Sequence, residues 1–132
     1  LPEHVARGFA ANFYAESNWD PGINEIEPIV PGSRGGFGLA QWTGPRRVAF
    51  EEYARDRGAP LDDVDAQLDF LMYELQGPES RAASRIMVTN TPEEATRAVS
   101  DHFLRPGIPR MSARMKGLQK LSQDQYAAIF GD

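Results

Sequence analysis

Among the 132 residues of this chain, Glu16 is the one whose position most calls for a chemical role. Between Pro2 and Glu16 the apolar side chains follow helical spacing: Val5, Phe9 and Phe13 form one stripe flanked by Ala6 and Ala10, and Glu3, Arg7 and Tyr14 project from the other side. Glu16 falls on the apolar stripe, angularly between Val5 and Phe9. A carboxylate so placed loses hydration, which favours its neutral form, and a neutral carboxyl at ordinary pH is what a general acid requires. A structural reading stands beside this one, in which Glu16 ends the helix, turns outward and pairs with Arg34 or Arg46. Some 25 residues further on, Gly35, Gly36, Phe37, Gly38 and Gln41 offer a different chemistry. Glycines expose peptide N–H and C=O groups and let a ligand approach the backbone closely. Phe37, Trp19 and Trp42 supply flat aromatic faces, and Gln41 supplies an amide. A proton donor, polar backbone and ring faces together suit the cleavage of a glycosidic bond, which needs a proton on the leaving oxygen and stabilisation of an oxocarbenium-like centre. Core packing under the loop is the competing reading for Trp19 and Trp42.

Elements must position these groups, and most of them read as helices. The first runs from about Pro2 to Glu16. From Ser17 to Pro45 the period disappears, and eight glycines and prolines precede Gly44-Pro45, so this is a long loop or a small irregular β-hairpin region. A loop of that length inside a compact domain is usually functional. Pro45 can open a second helix in its first turn, running through Phe50 and Tyr53 toward Gly58. Val64, Leu68, Leu71, Met72 and Leu75 fall within about 100° of arc, Asp62 and Asp63 suit a positive N-terminal end, and Gly77-Pro78 stops what reads as the central core helix. A short helix from about Glu79 to Met87 follows. Thr91-Pro92-Glu93-Glu94 is a capping-box signature opening a helix with Ala95, Val99 and Phe103 inward, ended by Arg105-Pro106-Gly107. Two last pieces, about Arg110 to Leu121 and Ser122 to Phe130, meet where Ser122 and Gln125 suit a second capping box. The fold class is mostly α, with six or seven helices and a small irregular β/loop region after the first.

Composition narrows the partners. With 41% hydrophobic and 25% charged residues, and no repeat or internal linker, residues 1–132 read as one domain with one core. Fourteen Lys and Arg against nineteen Asp and Glu give a net charge of -5, which argues against a sequence-independent grip on nucleic acid. Without cysteine there is neither a disulfide framework nor a thiolate zinc site, and the two distant histidines, His4 and His102, make no metal cluster. No cofactor or metal is expected. No apolar run approaches the ~20 residues of a membrane span, and the first residues do not resemble a basic and apolar signal peptide. The start at Leu1 reads as a domain excised from a longer chain.

The segments Glu16-Ser17-Asn18-Trp19-Asp20-Pro21-Gly22 and Gly36-Phe37-Gly38-Leu39-Ala40-Gln41-Trp42 together resemble the active-site signature of the lysozyme superfamily, and the closer resemblance is to phage tail lysozyme domains. There the pattern continues as Gln41-Trp42-Thr43-Gly44-Pro45-Arg46-Arg47, then Gln67-Leu68-Asp69-Phe70-Leu71 with Glu74-Leu75, Thr91-Pro92-Glu93-Glu94-Ala95 and Arg105-Pro106-Gly107. The resemblance covers nearly the whole chain. It implies a lysozyme-like fold, a peptidoglycan glycan strand as substrate, and Glu16 as the catalytic acid of a muramidase cutting between N-acetylmuramic acid and N-acetylglucosamine. It implies Gly36, Phe37, Gly38, Gln41, Trp19 and Trp42 as substrate-binding residues. The setting it implies is a domain of a phage tail or tape-measure protein, acting from the virion tail or in the extracellular or periplasmic cell-wall space. Gly36 stands where vertebrate lysozymes carry their second carboxylate. Goose-type lysozymes and lytic transglycosylases, which this stretch also resembles, often rely on the glutamate alone. Of the acids left in the loop, Asp20 before Pro21-Gly22 reads as a turn former, while Glu25 and Glu27 are candidates for a second carboxylate. Hydrolysis and intramolecular attack by the substrate's 6-hydroxyl, giving a 1,6-anhydro product, both stay open. So do two other functions: a non-catalytic peptidoglycan-binding module and a chitinase-like glycosidase.

Five further residues carry expectations. Arg46 and Arg47 oppose the dipole of the helix they open, so a specific partner is expected, either an acid such as Glu74 or Asp69 or the carboxylates of muropeptides. His102, among Val99 and Phe103, reads as a packed helix residue. Arg105 is expected to close onto the cleft or a neighbouring helix. Ser17 is expected to bond the Glu16 carboxyl or to cap the helix end, with no His and Asp arrangement that would make it a nucleophile.

Overall fold

The computed structural model describes residues 1–25 and 33–131. The described residues are mostly helical: α1 (Glu3–Ser17), α2 (Gly44–Asp56), α3 (Val64–Gln76), α4 (Ser80–Met87), α5 (Pro92–Ala98), a π-helical turn (Val99–Leu104), α6 (Met111–Lys120) and α7 (Gln123–Phe130). The irregular region after α1 holds isolated antiparallel bridges, Asn24 with Phe37 and Phe37 with Trp42. No described helix is long and apolar enough to cross a membrane. The chain divides into two compact units, residues 1–15 with 74–132 and residues 16–73.

In the first unit α1 is clasped at two glycines. A Cβ on Gly8 would lie 2.7–2.9 Å from Ala95 and the Thr96 nitrogen, and one on Gly117 would meet the Ala11 carbonyl and Tyr14 at 2.7 Å. Only glycine lets these backbones come so close. Val5, Phe9, Phe13, Val99 and Phe103 fill the core, with Phe9 edge-on to Phe103 at 5.4 Å. Two polar side chains, Asn12 and Arg114, join them. The Asn12 amide donates to the Gly8 and Thr96 carbonyls and accepts from the wholly buried Arg114 guanidinium at 3.1 Å. Arg114 also donates to the Pro109 carbonyl, so its charge is buried with hydrogen-bonding partners, as burial of a charge requires.

Both expected caps form. Thr91 Oγ1 accepts from the Glu94 amide at the start of α5, and Glu94 reaches back to the amide of Asn90, one residue earlier than in the usual box. Ser122 Oγ accepts from the Gln125 amide at the start of α7. The α5 helix then passes into the π turn, closed by Arg105 N–H to the Ser100 carbonyl at 2.8 Å. Two expectations change here. His102 is exposed, because the wider π turn keeps Val99, Ser100 and Phe103 inward and leaves His102 outside. In α3 the buried face is Ala66, Gln67, Phe70, Leu71, Glu74 and Leu75, whereas Val64, Leu68 and Met72 are half-buried. The inward face is rotated from the purely apolar stripe because two polar residues belong to it.

The second unit has an aromatic core. Trp42 stacks on Phe50 at 4.9 Å and meets Phe70 edge-on at 5.2 Å, and Phe37 stacks on the other side of the cluster against Phe50 at 6.4 Å.

Candidate active site

Glu16 and Ser17 are the last residues of α1. Glu16 is half-buried, unlike the fully buried Val5 and Phe9 on the same stripe, so it combines partial loss of water with access. Ser17 Oγ donates to the Leu39 carbonyl at 3.0 Å, tying the end of the helix to the Gly-rich turn. After Ser17 the backbone turns over through two left-handed residues, Asn18 (φ 53°) and Trp19 (φ 61°). Asp20 then forms the expected turn, its Oδ1 accepting from the Gly22 amide at 2.9 Å.

The second half is a tight hairpin. Phe37 and Trp42 exchange backbone hydrogen bonds of 3.0 and 3.1 Å, and Gln41 N–H closes the turn onto the Gly38 carbonyl. On its other side the hairpin pairs with residues 23–25, through Gly38 N–H to Ile23 and Glu25 N–H to Gly36. Gln41 is left-handed (φ 53°), and its Nε2 donates to the Gly38 and Ile23 carbonyls at 2.9 and 3.2 Å. Two carbonyl partners orient the amide and leave Oε1 without a hydrogen bond among the described residues.

The glycines have neighbours that explain them. A Cβ on Gly36 would lie 2.7 Å from Gln41 Oε1 and 2.8 Å from Gln41 Cβ, so the position equivalent to a second carboxylate has no room for a side chain while Gln41 keeps its place. Gly38 (φ 82°) has the Gln67 amide 2.8–3.0 Å from where its Cβ would be. Of the residues expected to bind substrate, Trp42 is corrected: at 3% exposure, between Phe50 and Phe70, it has no free face and belongs to the core beneath the turn. Phe37 and Trp19 are half-buried and Gln41 is partly accessible. Glu25 is exposed and hydrogen-bonded through its backbone to Gly36, and Glu27 lies outside the described residues.

Three residues outside the expected site hold it together. Gln67, at 1% exposure, accepts from Leu39 N–H at 2.9 Å and donates to the Pro21 and Leu61 carbonyls at 2.7 and 2.9 Å. Arg47 donates to the Arg34 and Gly35 carbonyls at 3.0 Å each and lies with its guanidinium carbon 5.4 Å from the Phe37 ring centre. Its acid partner is Glu51, one turn along α2 at 3.4 Å, in place of the expected Glu74 or Asp69. The helix geometry makes Glu51 the nearer choice. Arg34, the other expected partner for Glu16, is held by the same Glu51 through two 2.7 Å bonds. These bonds from Arg34 hold the Glu51 carboxyl below the usual carboxylate range despite its partial burial, with Arg47 adding to the effect, and they raise Arg34 in turn. The signal for Gln67 was a polar residue inside the apolar arc of α3. For Glu51 it was the i, i+4 spacing from Arg47.

A sequence profile of the phage tail lysozyme family matches residues 2–128, nearly the whole chain, and the chain belongs to that family. Membership brings a lysozyme-like, peptidoglycan-degrading function in general terms. No curated protein matches the sequence.

Two outcomes follow from this geometry. Gln67→Leu keeps the volume and abandons one buried and two part-buried backbone groups, the buried one alone worth about 1–3 kcal/mol, so urea denaturation should show a loss of roughly 2 kcal/mol or more. A loss below about 1 kcal/mol would mean that water or rearrangement replaces the amide. Glu51 has a folded value lowered from 4.5, so its contribution is complete above 4.5 and is lost as pH falls through the folded value. Amide exchange at residues 33–36 should therefore accelerate in that acid range, and Glu51→Gln should show the fast exchange already at neutral pH.

Proposed function

We propose that this chain cleaves the β-1,4 bond between N-acetylmuramic acid and N-acetylglucosamine in peptidoglycan, with Glu16 as general acid and residues 1–132 acting as one catalytic domain. One observation carries the reading beyond family membership. Three of the five left-handed non-glycine residues among those described, Asn18, Trp19 and Gln41, lie on the two halves of the expected site. Left-handed backbone in a residue as large as Trp19 is strained, and such strain persists where the surroundings enforce it, commonly at functional sites.

In this mechanism the half-buried Glu16 passes its proton to the glycosidic oxygen as the bond to the anomeric carbon breaks. Gln41 Oε1, an acceptor without a hydrogen bond among the described residues, accepts from an N-acetyl N–H or a sugar hydroxyl. Phe37 and Trp19 present ring faces to the C–H surfaces of the sugars, while Gly36 and Gly38, buried and with backbone groups bonded to Glu25, Ile23 and Gln41, shape the turn beneath them. Glu25 is the proposed second carboxylate, because its backbone is bonded across to Gly36, the position that is itself too crowded for one. There it activates a water molecule, which adds to the anomeric carbon and gives a reducing sugar. Attachment to other domains of a tail or tape-measure protein delivers the acidic domain to the wall.

A non-catalytic wall-binding module is the second reading, favoured by the crowding at Gly36. Turbidity assays on purified cell walls separate the two. Glu16→Gln should fold with an unchanged circular dichroism spectrum and lose activity by roughly 10²-fold or more; full activity in the folded variant sinks the proposed acid, and co-sedimentation of wild type without turbidity loss supports the binding module. Hydrolysis of chitin oligomers in preference to muropeptides would reassign the substrate. For Glu25, mass spectrometry of soluble products is the measure. Wild type should release reducing muropeptides and Glu25→Gln should release less of them; wild-type products lighter by one water would remove the need for Glu25 and assign intramolecular attack.

A further inference from the structure

The first unit contains a concave site between α4 and the π-helical turn. It is a cavity of about 410 Å³ lined by Arg81, Ala82, Arg85, His102, Arg105 and Glu79. Arg81 and Arg85 are one helical turn apart on α4, so two like charges share one face, an arrangement that destabilises the helix by itself. The side chains of Arg81, Arg85 and His102 are exposed and make no hydrogen bond or ion pair among the described residues. Glu79 does not neutralise them. Both of its oxygens are taken by Arg105, at 2.6 and 3.4 Å, and Arg105 also donates to the His102 carbonyl at 2.7 Å.

The backbone is shaped for this purpose as well. Arg105 is left-handed (φ 52°, ψ 53°) and ends a six-residue π turn, a conformation that is rare and frequent at functional sites. In the same turn the Ser100 hydroxyl is buried and has no hydrogen-bond partner among the described residues. A strained turn with an unsatisfied buried hydroxyl thus carries Arg105 to the groove. Three arginines and a histidine gathered around one cavity, in a chain of net charge -5, run against the composition.

We propose that this groove is a binding site for an oxyanion, a carboxylate or a phosphate group, held by Arg81 and Arg85 with Arg105 and His102 at its wall. Guanidinium groups pair with planar carboxylates and with phosphates through two parallel N–H bonds, and two of the arginines have all their donors available. The site is separate from the residues proposed for catalysis, and its ligand binds without turnover. Two sources offer the chemistry: the free carboxylates of peptidoglycan stem peptides, and phosphate, free or in a polymer.

The full chain can be titrated with sodium phosphate, and separately with a purified muropeptide, against sodium chloride at matched ionic strength, following the Arg Nε–H and His102 ring signals by NMR. At least one oxyanion should give saturable shifts at Arg81, Arg85 and His102, and the Arg81→Glu/Arg85→Glu variant should weaken binding tenfold or more. The milder Arg81→Gln/Arg85→Gln variant tests the same loss should charge reversal disturb the fold. Saturation by the muropeptide and not by its amidated form assigns the stem-peptide carboxylates; saturation by phosphate alone assigns phosphate. Shifts equal to those in chloride, or affinity unchanged in either variant, overturn the site. Cell-wall turbidity assays on the same variants are read separately, so loss of this site and loss of the proposed glycosidase are distinguishable.

Discussion

The region between α1 and α2 depends on one buried amide. Its described residues form no regular sheet, so their backbone donors and acceptors must find partners elsewhere or remain unsatisfied at a cost of about 1–3 kcal/mol each. Gln67 meets three of them at once. Its single carbonyl accepts from Leu39, and its two N–H bonds go to Pro21 and Leu61, which matches the inventory of a primary amide. Glutamate would set a carboxylate against two carbonyls, and leucine would orphan all three groups. Arg47 does the same for the other end of the stretch, binding the Arg34 and Gly35 carbonyls while Glu51 balances its charge. Side chains from α2 and α3 thus stand where the neighbouring strands of a sheet would be.

That support makes the strained turns possible. A left-handed backbone in residues such as Trp19 and Gln41 costs on the order of 1–3 kcal/mol each, a large share of the ~5–15 kcal/mol typical of a domain. The local bonds are arranged to hold it. Asp20 N–H returns to the Ser17 carbonyl, Ser17 Oγ reaches Leu39, and the Gln41 side chain bonds to Gly38 and Ile23 around its own turn. Glu16 ends a helix whose final residue is therefore fastened to the hairpin that carries Gln41. A carboxyl and a polar turn connected in this way would lose little freedom on binding a ligand, which is the condition for efficient positioning.

The helices were legible because apolar period and end signals agree. Val5, Phe9 and Phe13 mark the inward face of α1, and Thr91 and Ser122 form the caps their sequences announce. What was not legible has a common cause, since an apolar periodicity has no place for a buried polar residue. Gln67 and Glu74 turn the inner face of α3 away from the apolar arc, and the buried Asn12 and Arg114 join a core that the pattern assigned to phenylalanines and alanines. The π turn alters the spacing that put His102 inside. At the end of α1 and in the loop, Glu16, Gln41 and the glycines stood out as candidates by their types, but the reason for the glycines did not. Gly36 and Gly38 leave room for Gln41 and Gln67, neighbours that only the folded chain brings to them. Trp42 shows the same limit, because residue type alone does not separate a ring under a site from a ring lining it.

The net charge of -5 takes a more local meaning once the cations are located. At physiological salt, exposed charges act over about 8 Å, so contact with a polymer is governed by the groups facing it and not by the total. In the second unit, Arg34 and Arg47 are committed to Glu51 and to loop carbonyls, and their charge serves the fold. In the first unit, Arg81, Arg85 and His102 have no such bonds among the described residues and line one cavity. An acidic domain gains little from long-range attraction to an anionic wall. Once contact is made, a small unpaired basic groove can hold what the net charge would repel.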